Sequence, residues 1–273
     1  MRKTLLALET SGRSGSVAIL RAESTVTATS STATSSTAIS GPAISITTEL
    51  LDPQWGSART LTPAIDRLLC RLELRPSSLD CIALIQGPGS FTGLRVGVAT
   101  AKAMAYALRI PIVAVDGLDT IALQIAESRS SSQPFPLLAV VDAYRGQAFV
   151  ALYFIDDCGV RCVRSTYVED HQAIANQVSD WMVAEGWSGS ASQRFVVAGP
   201  GVEKLKKSWQ GIQETLVLGV DRIEWMSDSV SIPMADTVAK LGWDRWILQG
   251  QTEDVFGFLP RYYRSSAAED KLR

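Results

Sequence analysis

Apolar residues run without a break from Leu5 to Leu8 and stop on a carboxylate, Glu9. A short apolar run bounded by turn residues reads as a buried strand, here Thr4 to Glu9. The turn Thr10 to Gly15 then leads to a second strand, Ser16 to Arg21, making a hairpin. Alternation returns at Ala43 to Leu51, where Ile44, Ile46 and Thr48 share one sheet face. The period changes after Asp52-Pro53. Leu61, Ile65, Leu68, Leu69 and Leu72 recur at helical spacing, so Arg59 to Leu72 is predicted as an amphipathic helix. A buried strand, Cys81 to Ile85, enters the glycine-rich turn Gln86 to Arg95. A small-residue helix, Val96 to Leu108, leaves it. A strand at Ile112 to Val115 and a helix at Gly117 to Glu127 follow. Polar Ser128 to Gln133, with Pro134 and Pro136, reads as a domain break.

Beyond the break the opening pattern recurs. Leu137 to Asp142 repeats Leu5 to Glu9, passes a turn with Gly146 and re-enters a strand at Gln147 to Phe154, so the chain looks duplicated. A helix is expected at Asp170 to Glu185, and Phe195 to Gly201 reads as a strand running into a second glycine turn. A last helix over Ser231 to Leu248 carries Met234, Val238, Leu241 and Trp246 on one face. This reading gives an α/β protein of two domains, 1–115 and 116–273, with the last helix and the aromatic, basic tail (Phe256 to Arg264) free to pack back on the first. Residues 23–40 are almost wholly Ser, Thr and Ala, offer little apolar surface, and read as an inserted loop.

The chain has 273 residues, 46% of them hydrophobic, enough for a sizeable core. A formal net charge of -2 provides no global basic field for nucleic acid. The four cysteines are scattered and read as reduced thiols, with only Cys158 and Cys162 close in sequence; His171, the single histidine, reads as a surface residue. No metal site is expected. Glu9 interrupts the signal-like start, and no apolar run approaches a membrane span, so a cytoplasmic protein without membrane contact is expected.

The candidate chemistry is sparse. Gly87-Pro88-Gly89 lacks the Gly-Lys-Ser/Thr ending of a P-loop, and its spacing to Gly93 misses the dinucleotide fingerprint. Gly93, Gly97, Ala101 and Ala105 instead form a face of minimal side chains, packed either on the protein's own sheet or on another protein's helix. Arg95 and Lys102 on that helix could neutralise an anion, pair with partner carboxylates or be solvated. Glu9 and Asp142, with Thr10, Ser11, Gly12, Gly15 and Gly199, suit a nucleotide and a hydrated Mg²⁺. Bulky Tyr144 and Arg145 in the second turn argue against phosphate approach there, and strand-end carboxylates also serve as turn residues. No Gly-x-Ser-x-Gly elbow is present and no catalytic residue is assigned.

Three blocks, Leu5-Leu6-Ala7-Leu8-Glu9-Thr10-Ser11, Gly87-Pro88-Gly89-Ser90-Phe91-Thr92-Gly93-Leu94-Arg95-Val96-Gly97 and Val141-Asp142-Ala143-Tyr144-Arg145-Gly146-Gln147, resemble the TsaB (YeaZ) family of bacterial tRNA threonylcarbamoyladenosine biosynthesis proteins. The resemblance covers most of the chain in order; the ending Leu259 to Arg264 is only loosely similar. It implies a duplicated actin/Hsp70-like (ribonuclease H-like) fold of two mixed sheets flanked by helices. It also implies a non-catalytic partner of the transferase TsaD, acting with the ATPase TsaE and the carbamoyl-adenylate made by TsaC. TsaD enzymes carry a metal-binding histidine pair on the helix corresponding to Arg59 to Leu72, which this chain lacks. Carried over, the resemblance places the partner interface at Phe91, Thr92, Gly93, Arg95, Val96, Gly97 and Thr100, with Leu61 and Ile65 alongside. It also leaves room for self-pairing, for indirect contact with tRNA through the complex, and for ATP or ADP with Mg²⁺ at a shared interface. Glu9 stands where the family usually has Asp. An ATP-dependent kinase on the same duplicated fold is the alternative reading.

Overall fold

The computed structural model describes residues 2–12, 14–23, 44–129, 133–184, 194–210, 223–227 and 232–264. The Ser/Thr-rich insertion lies outside them except for Glu23. The chain forms two units, the first from Met1–Ile85, Thr92–Val115 and Met234–Leu259, the second from Gln86–Phe91, Asp116–Pro233 and Pro260–Arg273.

In the first unit, β1 (Arg2–Glu9), β2 (Ser16–Glu23), β3 (Ile44–Leu50), β4 (Cys81–Gly87) and β5 (Ile112–Asp116) form one mixed sheet in the order β3-β2-β1-β4-β5. β1 pairs antiparallel with β2 and parallel with β4. Side chains alternate across the sheet as the two-residue period requires. Leu6, Leu8, Val17, Ile19, Ile82 and Leu84 face α1 (Ser57–Arg71) and α2 (Phe91–Leu108). Leu5, Ala7, Ala18, Leu20, Cys81 and Ala83 face α6 (Ala235–Trp243) on the other side. A Cβ on Gly242 of α6 would collide with that of Ala83, so this helix sits close to the strands.

The second unit repeats the arrangement. β6 (Phe135–Asp142), β7 (Gln147–Asp156), β8 (Gly159–Asp170), β9 (Phe195–Ala198) and β10 (Ile223–Trp225) lie in the order β10-β9-β6-β7-β8, the first sheet's order with each strand replaced by its counterpart. Leu138, Val140, Val150 and Leu152 pack on α4 (His171–Ala184) and α5 (Val202–Trp209). Leu137, Ala139, Ala151 and Tyr153 pack on α3 (Gly117–Ser128). Among the described residues, each sheet therefore carries two helices on one face and one on the other.

Several expectations are revised. The Ser128-to-Pro136 break is not a boundary between units, because α3 before it and β6 after it share one core through Leu118, Ile121, Ile125, Leu137 and Ala139. The last helix is shorter than read: α6 begins after Met234, which stands at its N-cap, and Asp244–Leu248 follows as a single π turn. β8, α5 and β10 are additions to the predicted elements. Among the described residues, no helix is long and apolar enough to cross a membrane.

Candidate functional site

The glycine-rich block reorganises first. β4 extends to Gly87 and α2 starts at Phe91, five residues before Val96, so Gly93 and Arg95 belong to the helix rather than to the turn. Gly93 and Gly97 are buried, as are Ala101 and Ala105. The Thr10 hydroxyl donates to the Gly93 carbonyl at 2.8 Å, and a Cβ on Gly97 would collide with that same hydroxyl oxygen. The small face thus packs on its own sheet, where glycine lets the helix approach the end of β1. This corrects Gly93 and Gly97 as partner-contacting residues. Leu61 and Ile65 are corrected likewise, since both lie in the core beneath α1.

What remains exposed is the opposite face of α2. Thr92, Arg95, Ala99, Ala103 and Ala107 are exposed, with Val96 and Thr100 half-buried among them and Tyr106 67% exposed. Phe91 stands at the helix start, 36% exposed. On α1, Thr62, Pro63, Asp66 and Cys70 point away from the core. Lys102 is no free cation: its Nζ donates to the Phe256 and Phe258 carbonyls at 2.8 and 3.0 Å.

Glu9 is fully buried. Its Oε1 accepts from the Ser11 amide at 2.7 Å, the Ser11 hydroxyl at 2.6 Å and the Gly12 amide at 3.2 Å. Its Oε2 is buried without a hydrogen-bond partner, and desolvation pushes its pKa from 4.5 up to about 7 against those three bonds. The donors that the sequence offered to a phosphate are therefore committed to the protein's own carboxylate. A Cβ on Gly15 would stand 2.7 Å from the Glu9 carbonyl, so that glycine answers to the chain's own backbone.

The second unit treats its counterparts in the same way. Asp142 accepts from the Tyr144 amide at 3.0 Å and pairs with Lys204, whose ammonium also stands 4.8 Å from the centre of the Tyr144 ring. A Cβ on Gly199 would collide with the Val140 carbonyl, so Gly199 serves the crossing of β6. Neither turn fits a phosphate group in this arrangement, and no three His, Cys, Asp or Glu side chains among the described residues gather to hold a metal. His171 is buried rather than superficial, its Nδ1 2.7 Å from the Ser208 hydroxyl and its carbonyl accepting from the Trp209 indole at 2.8 Å. All four cysteines are free thiols.

Two five-stranded mixed sheets of one strand order, each with helices on both faces, define an actin/ribonuclease H-like α/β protein. The same fold occurs in two solved structures from Pseudomonas aeruginosa. An uncharacterized protein with similarity to peptidase YeaZ matches with a TM-score of 0.66 at 24% identity, over 96% of this chain and 100% of that one. YeaZ itself matches with a TM-score of 0.65 at 23% identity, over 95% and 99%. The family model for TsaD, tRNA N6-adenosine threonylcarbamoyltransferase, matches residues 56–233. The chain belongs to that family, and within it is TsaB/YeaZ-like. The tRNA threonylcarbamoyladenosine biosynthesis protein TsaB of Bacillus subtilis is 40% identical over 91 residues, 33% of this chain and 38% of that protein. The tRNA N6-adenosine threonylcarbamoyltransferase of Geotalea uraniireducens is 42% identical over 81 residues, 30% of this chain and 24% of the enzyme. The matched stretches thus span well under half the length of these curated relatives.

Proposed function

We propose that this chain is the non-catalytic partner of a TsaD-type transferase in tRNA threonylcarbamoyladenosine synthesis, docking through the outward faces of α1 and α2. The observation that carries the reading is the outward stripe of α2. Thr92, Val96, Ala99, Ala103 and Ala107 recur at three- and four-residue intervals along 18 residues of helix and leave its backbone accessible to a second helix. Small side chains there let partner atoms pack at van der Waals distance, which favours a close helix-to-helix interface. The absence from the sequence of a histidine pair on α1 supports a subunit that assists rather than transfers. In the full assembly a TsaE-type ATPase joins, tRNA is reached through the complex, and the same α2 face mediates self-pairing when the chain is alone. A nucleotide, if one acts here, binds at an interface shared with the transferase.

The test is Ala103→Arg, which places a long cation on the exposed face and leaves the core untouched. Association with a TsaD-type transferase, measured by calorimetry, should weaken by about tenfold or more, as expected when a charge enters a packed interface centre. An affinity equal to the unaltered chain's would sink the docking assignment.

A further inference from the structure

The segment that follows α6 makes a series of specific contacts. The Arg261 amide donates to the Gln86 carbonyl at 2.9 Å, and the Arg261 carbonyl occupies the space a Cβ on Gly87 would need. Tyr262 lies flat on Phe91, the ring centres 4.1 Å apart and the planes 10° from parallel. Tyr263 donates its hydroxyl to Asp116 Oδ2 at 2.5 Å, while Asp116 Oδ1 accepts from the Leu118 amide at 2.8 Å and so caps α3. Arg264 donates to the Ala143 carbonyl at 2.9 Å. Four consecutive residues therefore tie down three separate segments: the Gln86–Phe91 loop, the start of α3 and the turn after β6.

We infer that Arg261–Arg264 is a clasp that fixes the Gln86–Phe91 loop and thereby presents Phe91 for partner docking. The inference rests on the docking role proposed above. Each grip is of a different kind. The backbone bond at Gln86 extends the end of β4 by one rung, and Gly87 is the residue that lets the tail backbone pass over it. The ring stack then holds Phe91 in one orientation, and two parallel rings in contact gain more than their buried area alone supplies. The bond from Tyr263 to half-buried Asp116 anchors the far end, where an acceptor deprived of its donor would be costly. Phe91 keeps part of its ring exposed because Tyr262 covers a face rather than the edge.

Hydrogen exchange and transferase affinity, measured on the full chain and on Tyr262→Ala, Tyr262→Phe and Tyr263→Phe, test this. In Tyr262→Ala the amides of Gly89, Ser90, Phe91 and Arg261 should exchange about five- to tenfold faster, the scale of a lost aromatic pair. Transferase affinity should fall with them. Tyr262→Phe keeps the ring stack and should leave exchange at Phe91 as slow as in the unaltered chain, whereas Tyr263→Phe should speed exchange at Arg261 and Leu118 together. Unchanged exchange in Tyr262→Ala overturns the clasp. Faster exchange with undiminished affinity overturns its link to docking. Should the unaltered chain bind no TsaD-type transferase, the docking proposal falls, and the exchange data still decide the clasp by themselves.

Discussion

Glu9 shows how one buried atom can set a solution property. Its folded pKa, about 7, lies above the ordinary 4.5 because burial disfavours the charge more than three hydrogen bonds to Oε1 favour it. The folded chain therefore holds this proton more tightly than the unfolded chain does, so the associated stability is complete below about pH 4.5 and is lost as pH rises through 7. The full span is about 3 kcal/mol. Urea unfolding at pH 5 and pH 8.5 should show that decline, and Glu9→Gln should flatten it; an equal slope in the variant would refute the assignment to Glu9. Gly97 gives a second expectation. Because α2 touches Thr10 there, Gly97→Val should cost about 1–3 kcal/mol by overpacking, read from the denaturation midpoint. That also disqualifies Gly97 as a probe of partner binding, since its replacement disturbs the fold. The sequence shows Ser11 and Gly12 as donors but not their acceptor, and only burial of Glu9 decides between a phosphate and the neighbouring carboxylate.

The elements divide by how much apolar pattern they carry. β1, β4, β6 and the core face of α1 were legible because nearly every position on them is committed to burial. β8 was not legible, being an edge strand whose Arg161, Cys162, Arg164 and Ser165 are exposed, so no alternation marks it. β10 has three residues and α5 has eight, too few for a period to emerge. The small-residue helix presented a different difficulty. Gly93, Gly97, Ala101 and Ala105 gave one stripe while Val96, Ala99, Ala103 and Ala107 gave another, and composition alone does not say which faces the sheet. The Thr10 bond to Gly93 assigns the first stripe to the core and leaves the second exposed. The helix was therefore legible, though not which of its faces meets the sheet.

At the scale of the whole molecule, the first sheet is covered on one side by a helix remote from its own strands in the chain order. α6, encoded after the second sheet, closes the face of the first that carries Leu5, Ala7, Leu20 and Ala83. A fragment of residues 1–115 should accordingly be insoluble or molten, judged by near-ultraviolet circular dichroism and sedimentation. Joining residues 234–259 to it through a flexible linker should restore a cooperative unfolding transition. A well-folded 1–115 fragment would contradict the role given to α6. The repeated strand order was foreshadowed by two apolar runs ending on carboxylates; the last helix was read only as free to pack back on the first domain, because local patterns do not carry the sheet face that a long-range contact covers.

The late supply of α6 also sets a timetable for synthesis. Once Val115 leaves the ribosome, about 120 residues intervene before Met234 follows. At roughly 5–20 residues per second that is about 6 to 24 seconds during which the nascent first sheet lacks its cover. The alanines and leucines of that face would be open to chaperones throughout the interval, and slower translation would prolong it.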